Sequence, residues 1–411
     1  MGKSLGAQGC RIGSGPGTCD KNGPRAAAKI PSVEMIKRLV AFDTTSRNSN
    51  MPLIDFARNY LADFGIESEL VFDETGKKAN LYATCGPLDK PGVMLSGHSD
   101  CVPIDGQDWR SDPFNVIEVD GKLYGRGTSD MKSFIALALA AVPALARAKL
   151  KTPVHFALSY DEEVGCLGVQ RLIAQLEGML IKPKACIVGE PTNMQVVTGH
   201  KGKLSTRCHV EGLECHSALA PEGVNAVEIA AELVARLRQL ARRMQDEGPF
   251  DPAFNPPFTT VHTGIIQGGT ALNIVPKDCT FEAEIRNLPT HDPEPLLAEL
   301  KQYAEDVLLP EMQKVSKDAR ISWEALPTYP GLVGEERTDV VHLAQAFSGN
   351  KEPGCVSFGT EAGLFQRAGI PAVVCGPGSI EQAHKPDEFI SLEQVAKGES
   401  FIARLVRTCQ Q

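Results

Sequence analysis

Seven side chains able to hold or serve metal ions occur along the chain in the order His98, Asp100, Asp130, Glu162, Glu163, Glu190 and His384. Each lies in an apolar or small-residue setting. In Val93-Met94-Leu95-Ser96-Gly97-His98-Ser99-Asp100 the side chains of an extended segment alternate, so His98 and Asp100 share one side. One can bind metal while the other orients it, because a carboxylate on the far ring nitrogen fixes the tautomer and raises ligand basicity. Glu162 and Glu163 follow the run Val154–Asp161 and point in different directions, so one can bind and its neighbour can stay free as a base. Two metals a few ångströms apart need an anion between them, and Asp130 fits. Alone, Asp130 reads equally as a helix N-cap, the acidic triplet as a charged loop at a strand end, and His384 as a surface histidine. Together they read as a two-zinc hydrolase. A phosphate loop is the weaker account of Gly125-Arg126-Gly127, since neither a Walker spacing nor Gly-x-Gly-x-x-Gly is present.

The elements that must position these groups follow from the surrounding pattern. With 411 residues and 42% hydrophobic composition the chain can bury one large core or two smaller ones, and two domains are expected. Residues 1–30, rich in Gly, Pro, Lys and Arg, are expected to form a flexible leader. From Pro31 a helical period runs through Val33, Ile36, Leu39 and Val40, and another through Leu53, Phe56, Tyr60 and Phe64. Strands then alternate with helices up to Glu190, the habit of an α/β sheet, which carries its ligands at the carboxyl ends of strands. A helix is expected over Phe134–Leu150. Between residues 199 and 326 the pattern becomes βαββαβ, a ferredoxin-like split-βαβ unit. None of the seven lies inside it, so a catalytic domain of residues 31–198 and 327–411 is expected to be interrupted by an inserted domain.

Composition excludes other roles. The net charge of -9, without a polybasic helix, makes nucleic acid and anionic membranes poor partners. No apolar run approaches the roughly 18–20 residues of a membrane helix. Twelve scattered cysteines with no Cys-x-x-Cys pair point to reduced thiols in a cytoplasmic protein.

The motifs Ser96-Gly97-His98-Ser99-Asp100, Gly125–Asp130, Asp161-Glu162-Glu163, Gly189-Glu190-Pro191-Thr192, Glu214-Cys215-His216-Ser217, Gly268–Asn273 and Gly359-Thr360-Glu361 resemble those of the di-zinc aminoacylase and carboxypeptidase superfamily. The likeness runs from Pro31 to the C-terminus. It implies a mixed sheet flanked by helices with an inserted lid and dimerisation domain, hence a homodimer. It also implies two Zn2+, with Co2+ able to substitute: His98, Asp130 and Glu190 on one, Asp130, Glu163 and His384 on the other. Asp130 would bridge, Asp100 would orient His98, and Glu162 would be the general base. His216, from the inserted domain, would stabilise the tetrahedral oxyanion, often across the dimer interface. Asn273 and Arg286 would hold the substrate's α-carboxylate, and Thr360 and Glu361 would line the pocket, with Glu361 meeting a cationic side chain.

Within the superfamily, the runs Val188–Met194, Gly199–Lys203 and Cys375–Phe389 look most like the acetylornithine deacetylase branch. The substrate implied is a small N-acyl amino acid, N2-acetyl-L-ornithine. Cys101 and Ser133 depart from the usual pattern without removing a ligand. The competing expectations are a sister hydrolase acting on another N-acyl amino acid, succinyl-diaminopimelate or a dipeptide, and a non-catalytic metal-binding assembly or regulatory protein. A spare base at Glu162 argues against the last.

Overall fold

The computed structural model describes residues 29–334 and 338–411. The expected leader lies outside the described residues but for Lys29 and Ile30. Four short runs, Val93–His98, Val154–Ser159, Ala185–Pro191 and Ala372–Gly376, are buried at every position. Such runs are the mark of parallel strands covered on both faces. They pair parallel in the spatial order 154–159, 93–98, 185–191, 372–376. Ala79–Cys85 and then Ser68–Phe72 add antiparallel on one side; on the other Val197–His200 adds antiparallel and Gly354–Val356 parallel to it, completing eight strands.

Helices cover both faces of this sheet. On one, Ser32–Val40, Met51–Asp63, Lys132–Ala140 and Leu392–Cys409 bury their apolar stripes, including Leu39, Leu61, Leu137 and Leu405, in one cluster. On the other, Val169–Glu177 and Ala362–Arg367 pack Leu172, Leu176 and Phe365 against Val188 and Val374. The strand that carries Glu190 depends on a missing side chain here. A Cβ on Gly189 would lie 2.0 Å from the Phe134 ring, so only glycine lets the helix sit this close. The helix expected over Phe134–Leu150 is instead two pieces, Lys132–Ala140 and Val142–Arg147, broken where Pro143, with no N–H to donate, enters the first turn of the second.

The second sheet has four antiparallel strands in the order Thr260–Gly268, Asp278–Arg286, Lys203–Glu211, Arg320–Tyr329. Strand Asp278–Arg286 alternates buried and half-exposed side chains, so the sheet has one core face. Ala226–Glu247 and the chain from Glu294 to Val315 cover that face through Leu233, Leu237, Leu300 and Leu308. In chain order this is the βαββαβ unit, while Val197–His200 still belongs to the large sheet.

A small third sheet sets up the site. Phe389–Ser391 pairs with Lys122–Tyr124, which brings the segment after His384 against the loop leading to Asp130. No helix among the described residues is long and apolar enough to cross a membrane.

Candidate active site

The four parallel strands all end at the same edge, and there the distant ligands meet. His98 is the last residue of its strand, Glu162 and Glu163 follow the next, Glu190 closes the third, and His384 follows the fourth. Asp130 arrives from the loop before helix Lys132–Ala140. His98 Nε2 lies 3.1 Å from Asp130 Oδ1 and 3.7 Å from Glu190 Oε1. His384 Nε2 lies 3.4 Å from Asp130 Oδ2 and 3.0 Å from Glu163 Oε2. Two triplets result, His98, Asp130, Glu190 and Asp130, Glu163, His384, each with its ligand atoms within 4.8 Å of one another. They share Asp130, one oxygen facing each histidine.

This donor set fits two divalent cations. It consists of imidazole and carboxylate, the ligands Zn2+ takes. Glu163 Oε1 is buried and has no hydrogen-bond partner among the described residues. Crowding also shows in the acidities. Burial, then the charge of Asp130, pushes Glu190 up to about 8 and Glu163 up to about 7. Burial opposes the charged ring of His98, but Glu190, Asp100 and Asp130 overcome it and hold its pKa well above 6.5. Hydrogen bonds to Asp130 and Glu163 raise His384 to about 10. Asp130 is held low despite burial, because both histidines donate to it. Positive charge between these carboxylates is what the arrangement calls for.

The remaining residues fall into distinct places. His98 Nδ1 lies 3.0 Å from the main-chain oxygen of Asp100 and 3.5 Å from its Oδ1. The Asp100 carboxylate also accepts from Ser46 Oγ at 2.7 Å and from the N–H groups of Glu162 and Glu163 at 3.2 and 3.3 Å, so it anchors the acidic loop too. Glu162 accepts from Cys166 Sγ at 3.4 Å. Burial, then the charge of Glu190, lifts its pKa well above 4.5. Thr360 and Glu361 are buried, and Glu361 Oε2 is 3.5 Å from Ser96 Oγ. Burial brings Glu361 to about 7.

The inserted sheet holds the others. Arg286 donates from Nη1 to Tyr329 Oη at 2.6 Å and from Nε to Glu284 at 3.1 Å. Tyr329 in turn closes over Gly359, where a Cβ would lie 2.0 Å from its ring. Tyr329 stands opposite Lys203 in the strand register, a pairing that sequence spacing does not reveal. His216 and Asn273 lie together on an exposed part of the insert, where Ser217 N donates to Asn273 O at 3.0 Å and His216 pairs with Ile274. The structure brings them to each other rather than to the triplets.

A sheet edge that gathers two histidines and three carboxylates into two overlapping triplets, with a further glutamate beside them, defines a metal-dependent hydrolase of amides built for a dinuclear centre. Residues 94–408 match peptidase family M20/M25/M40. The chain is 39% identical over 376 residues to the acetylornithine deacetylase of Myxococcus xanthus, covering 90% of this chain and 95% of that one. Its fold is similar to an M20 family metallo-carboxypeptidase of Sulfolobus solfataricus, with a TM-score of 0.74 at 18% identity over 92% of this chain and 99% of that one. It is also similar to a dinuclear metal-binding M20 peptidase of Bacillus subtilis, with a TM-score of 0.61 at 17% identity over 91% and 96%. The chain belongs to peptidase family M20/M25/M40.

Proposed function

We propose that this protein removes the acetyl group of N2-acetyl-L-ornithine, giving L-ornithine and acetate, with two Zn2+ as its resident metals and Co2+ able to replace them. The hydrolase reading rests on the two triplets sharing Asp130; the substrate rests on the extended likeness to a deacetylase of that name. His98, Asp130 and Glu190 would hold one metal, and Asp130, Glu163 and His384 the other. When bound, the metals polarise the amide carbonyl and bring the pKa of a water toward about 7.

The chain's own groups do the rest. Glu162, beside both triplets and raised well above the ordinary carboxylate range by burial, takes the proton of the attacking water and returns it to the leaving amine. Asp100 keeps His98 and the Glu162–Glu163 loop in register through the contacts described above. Arg286 offers its guanidinium fork to the substrate's α-carboxylate, with Asn273 as a second donor. Glu361 receives the cationic side chain; its Oε1 has no hydrogen-bond partner among the described residues.

His216 stabilises the tetrahedral oxyanion from the partner subunit of a homodimer. In support, His216, Leu219, Ile265, Ile266 and Leu272 of the insert are each exposed, and Thr260–Gly268 is an edge strand. Exposed apolar side chains and a free sheet edge suit a second copy of the chain. The domain division at residues 199 and 326 belongs to the same reading, with the insert as lid and dimerisation unit. Buried free cysteines such as Cys85, Cys101, Cys186 and Cys208 support a cytoplasmic setting.

The test is amine release from N2-acetyl-L-ornithine, acetylmethionine, succinyl-diaminopimelate and a dipeptide by zinc-loaded, cobalt-loaded and chelator-stripped protein. Metal-dependent turnover led by acetylornithine is expected. Turnover led by another of the four would keep the centre and overturn the substrate.

A further inference from the structure

We propose that Glu388, locked by Arg126, is a positioning residue that sets the distance between Asp130 and His384 and thereby the affinity of the second metal position. The inference rests on the two-metal reading above. Glu388 and Arg126 are each 1% exposed, and the Glu388 carboxylate reaches the triplets through the backbone N–H of Asp130. The Glu388 carboxylate has four lone-pair positions and fills all four. Oε1 accepts from Ser129 N at 2.8 Å and Asp130 N at 3.0 Å, while Oε2 accepts from Gly127 N at 3.0 Å and Arg126 Nη1 at 2.8 Å. Its main-chain oxygen accepts from Gly125 N at 2.9 Å. One side chain therefore holds the loop that presents Asp130 by three of its backbone N–H groups. Gly127 makes this wrap possible, with φ +86°, a conformation that favours glycine.

The same pair holds the His384 side. Arg126 Nη1 reaches the Lys385 carbonyl at 3.4 Å, and Nη2 donates to Gln107 Oε1 at 2.5 Å. Gln107 Nε2 in turn donates to the His384 carbonyl at 3.0 Å. The guanidinium lies over the Trp109 ring at 5.0 Å, which fixes its plane. His384 needs such a hold. Its φ is +62°, a backbone that a histidine keeps only when its surroundings impose it, and its side chain is 55% exposed. Two of the three ligands of the second position, Asp130 and His384, thus depend on one buried ion pair. The first position depends on it only through Asp130, because His98 and Glu190 are delivered directly by strands.

The experiment is titration of stripped protein with Co2+ against a competing chelator, followed by visible absorption, on the wild type, His384→Ala, Glu388→Gln and Gln107→Ala. The wild type should bind two equivalents, and His384→Ala identifies which of them is the second position. Glu388→Gln should weaken that same equivalent by about 10- to 100-fold, the range seen when a partner behind a ligand is lost, and the other equivalent by less. Gln107→Ala, which leaves the buried pair intact, should weaken the second equivalent by a smaller factor. Folded Glu388→Gln with both dissociation constants within about threefold of wild type would make the pair a purely structural clamp and overturn the proposal. If Glu388→Gln does not fold, Gln107→Ala decides, and an unchanged second equivalent overturns it. A wild type that binds fewer than two equivalents would overturn the two-metal reading itself, and the inference with it.

Discussion

Removing the metals should make the protein lose stability as pH rises through neutrality. In the metal-free chain Glu190 titrates near 8 instead of 4.5, first because it is buried and then because Asp130 faces it, and Glu163 near 7 for the same two reasons. The folded state keeps these protons after the unfolded chain has released them. Below the unfolded value the shift costs nothing, and the cost accumulates as pH climbs toward the folded values. His384 acts in the same sense. Its pKa is raised from 6.5 to about 10, so its contribution is complete below 6.5 and is lost as pH rises toward 10. Glu190 is 4% exposed, and at ~1.4 kcal/mol per pKa unit its ionisation removes about 2–5 kcal/mol by mildly alkaline pH. Bound metal requires deprotonated ligands, so metal binding tightens over the same range, and free metal at ~1,000 times Kd adds about 4 kcal/mol. Denaturant unfolding of metal-loaded and stripped protein from about pH 5.5 to 8.5 measures both. The gap between the two should widen by at least about 2 kcal/mol toward the alkaline end. A stripped protein equally stable at both ends would refute the reasoning, since carboxylates crowded as the structure has them cannot all ionise without cost.

Further outcomes are expected at single side chains. Glu162→Gln should lower kcat by about 10²- to 10⁴-fold while metal content stays at two equivalents, read by turnover beside metal analysis. Mixing inactive His216→Ala with inactive Glu162→Gln should restore activity at about a quarter of the sites if His216 serves the partner's centre, because half the dimers are mixed and each has one complete site; no recovery places His216 within its own chain. Arg286→Lys should raise KM by about tenfold, ~1.4 kcal/mol, with kcat little changed, since a single ammonium cannot reproduce the fork. Glu361→Gln should reduce the preference for acetylornithine over acetylmethionine, and an unchanged ratio removes Glu361 from side-chain recognition.

The residues that gather at the strand ends were legible because parallel strands announce themselves locally. Runs such as Val93–Leu95 and Ala185–Gly189 are apolar throughout, and chemistry-bearing residues just after them need no knowledge of the partner strand. The insert was legible for a related reason, since its alternating strands and long helices each carry their own period. What escaped was everything carried by the backbone of a distant segment. Glu388, in Lys385-Pro386-Asp387-Glu388, looks like any solvated acid, and its donors at Gly127, Ser129 and Asp130 lie about 260 positions earlier. Asp100 shows the same limit. Alternation placed its carboxylate beside His98, but the strand ends at His98, and the chain then turns so that the Asp100 main-chain oxygen also faces the ring. Tyr329 has no local signal either, because its role depends on Gly359 leaving room for its ring.

Under the function proposed above, these positions divide the tasks between the two larger sheets. The two triplets are fixed by four parallel strand ends, by Asp100 accepting from the acidic loop, and by the Arg126–Glu388 pair. Each is buried in the large sheet or its loops, so the metal geometry tolerates little movement. Arg286, Asn273 and His216 belong to the insert, which meets the large-sheet unit through contacts such as Arg286–Tyr329, Pro289 against Gly331, and Ser357 Oγ donating to the Asn255 carbonyl at 2.5 Å. Under the proposed function, recognition groups on a separate sheet would let the recognised group change without disturbing the candidate metal ligands. Selectivity therefore belongs with Arg286 on the insert and Glu361 beside the strand ends, and the hydrolytic step with the strand ends themselves, under the function proposed above.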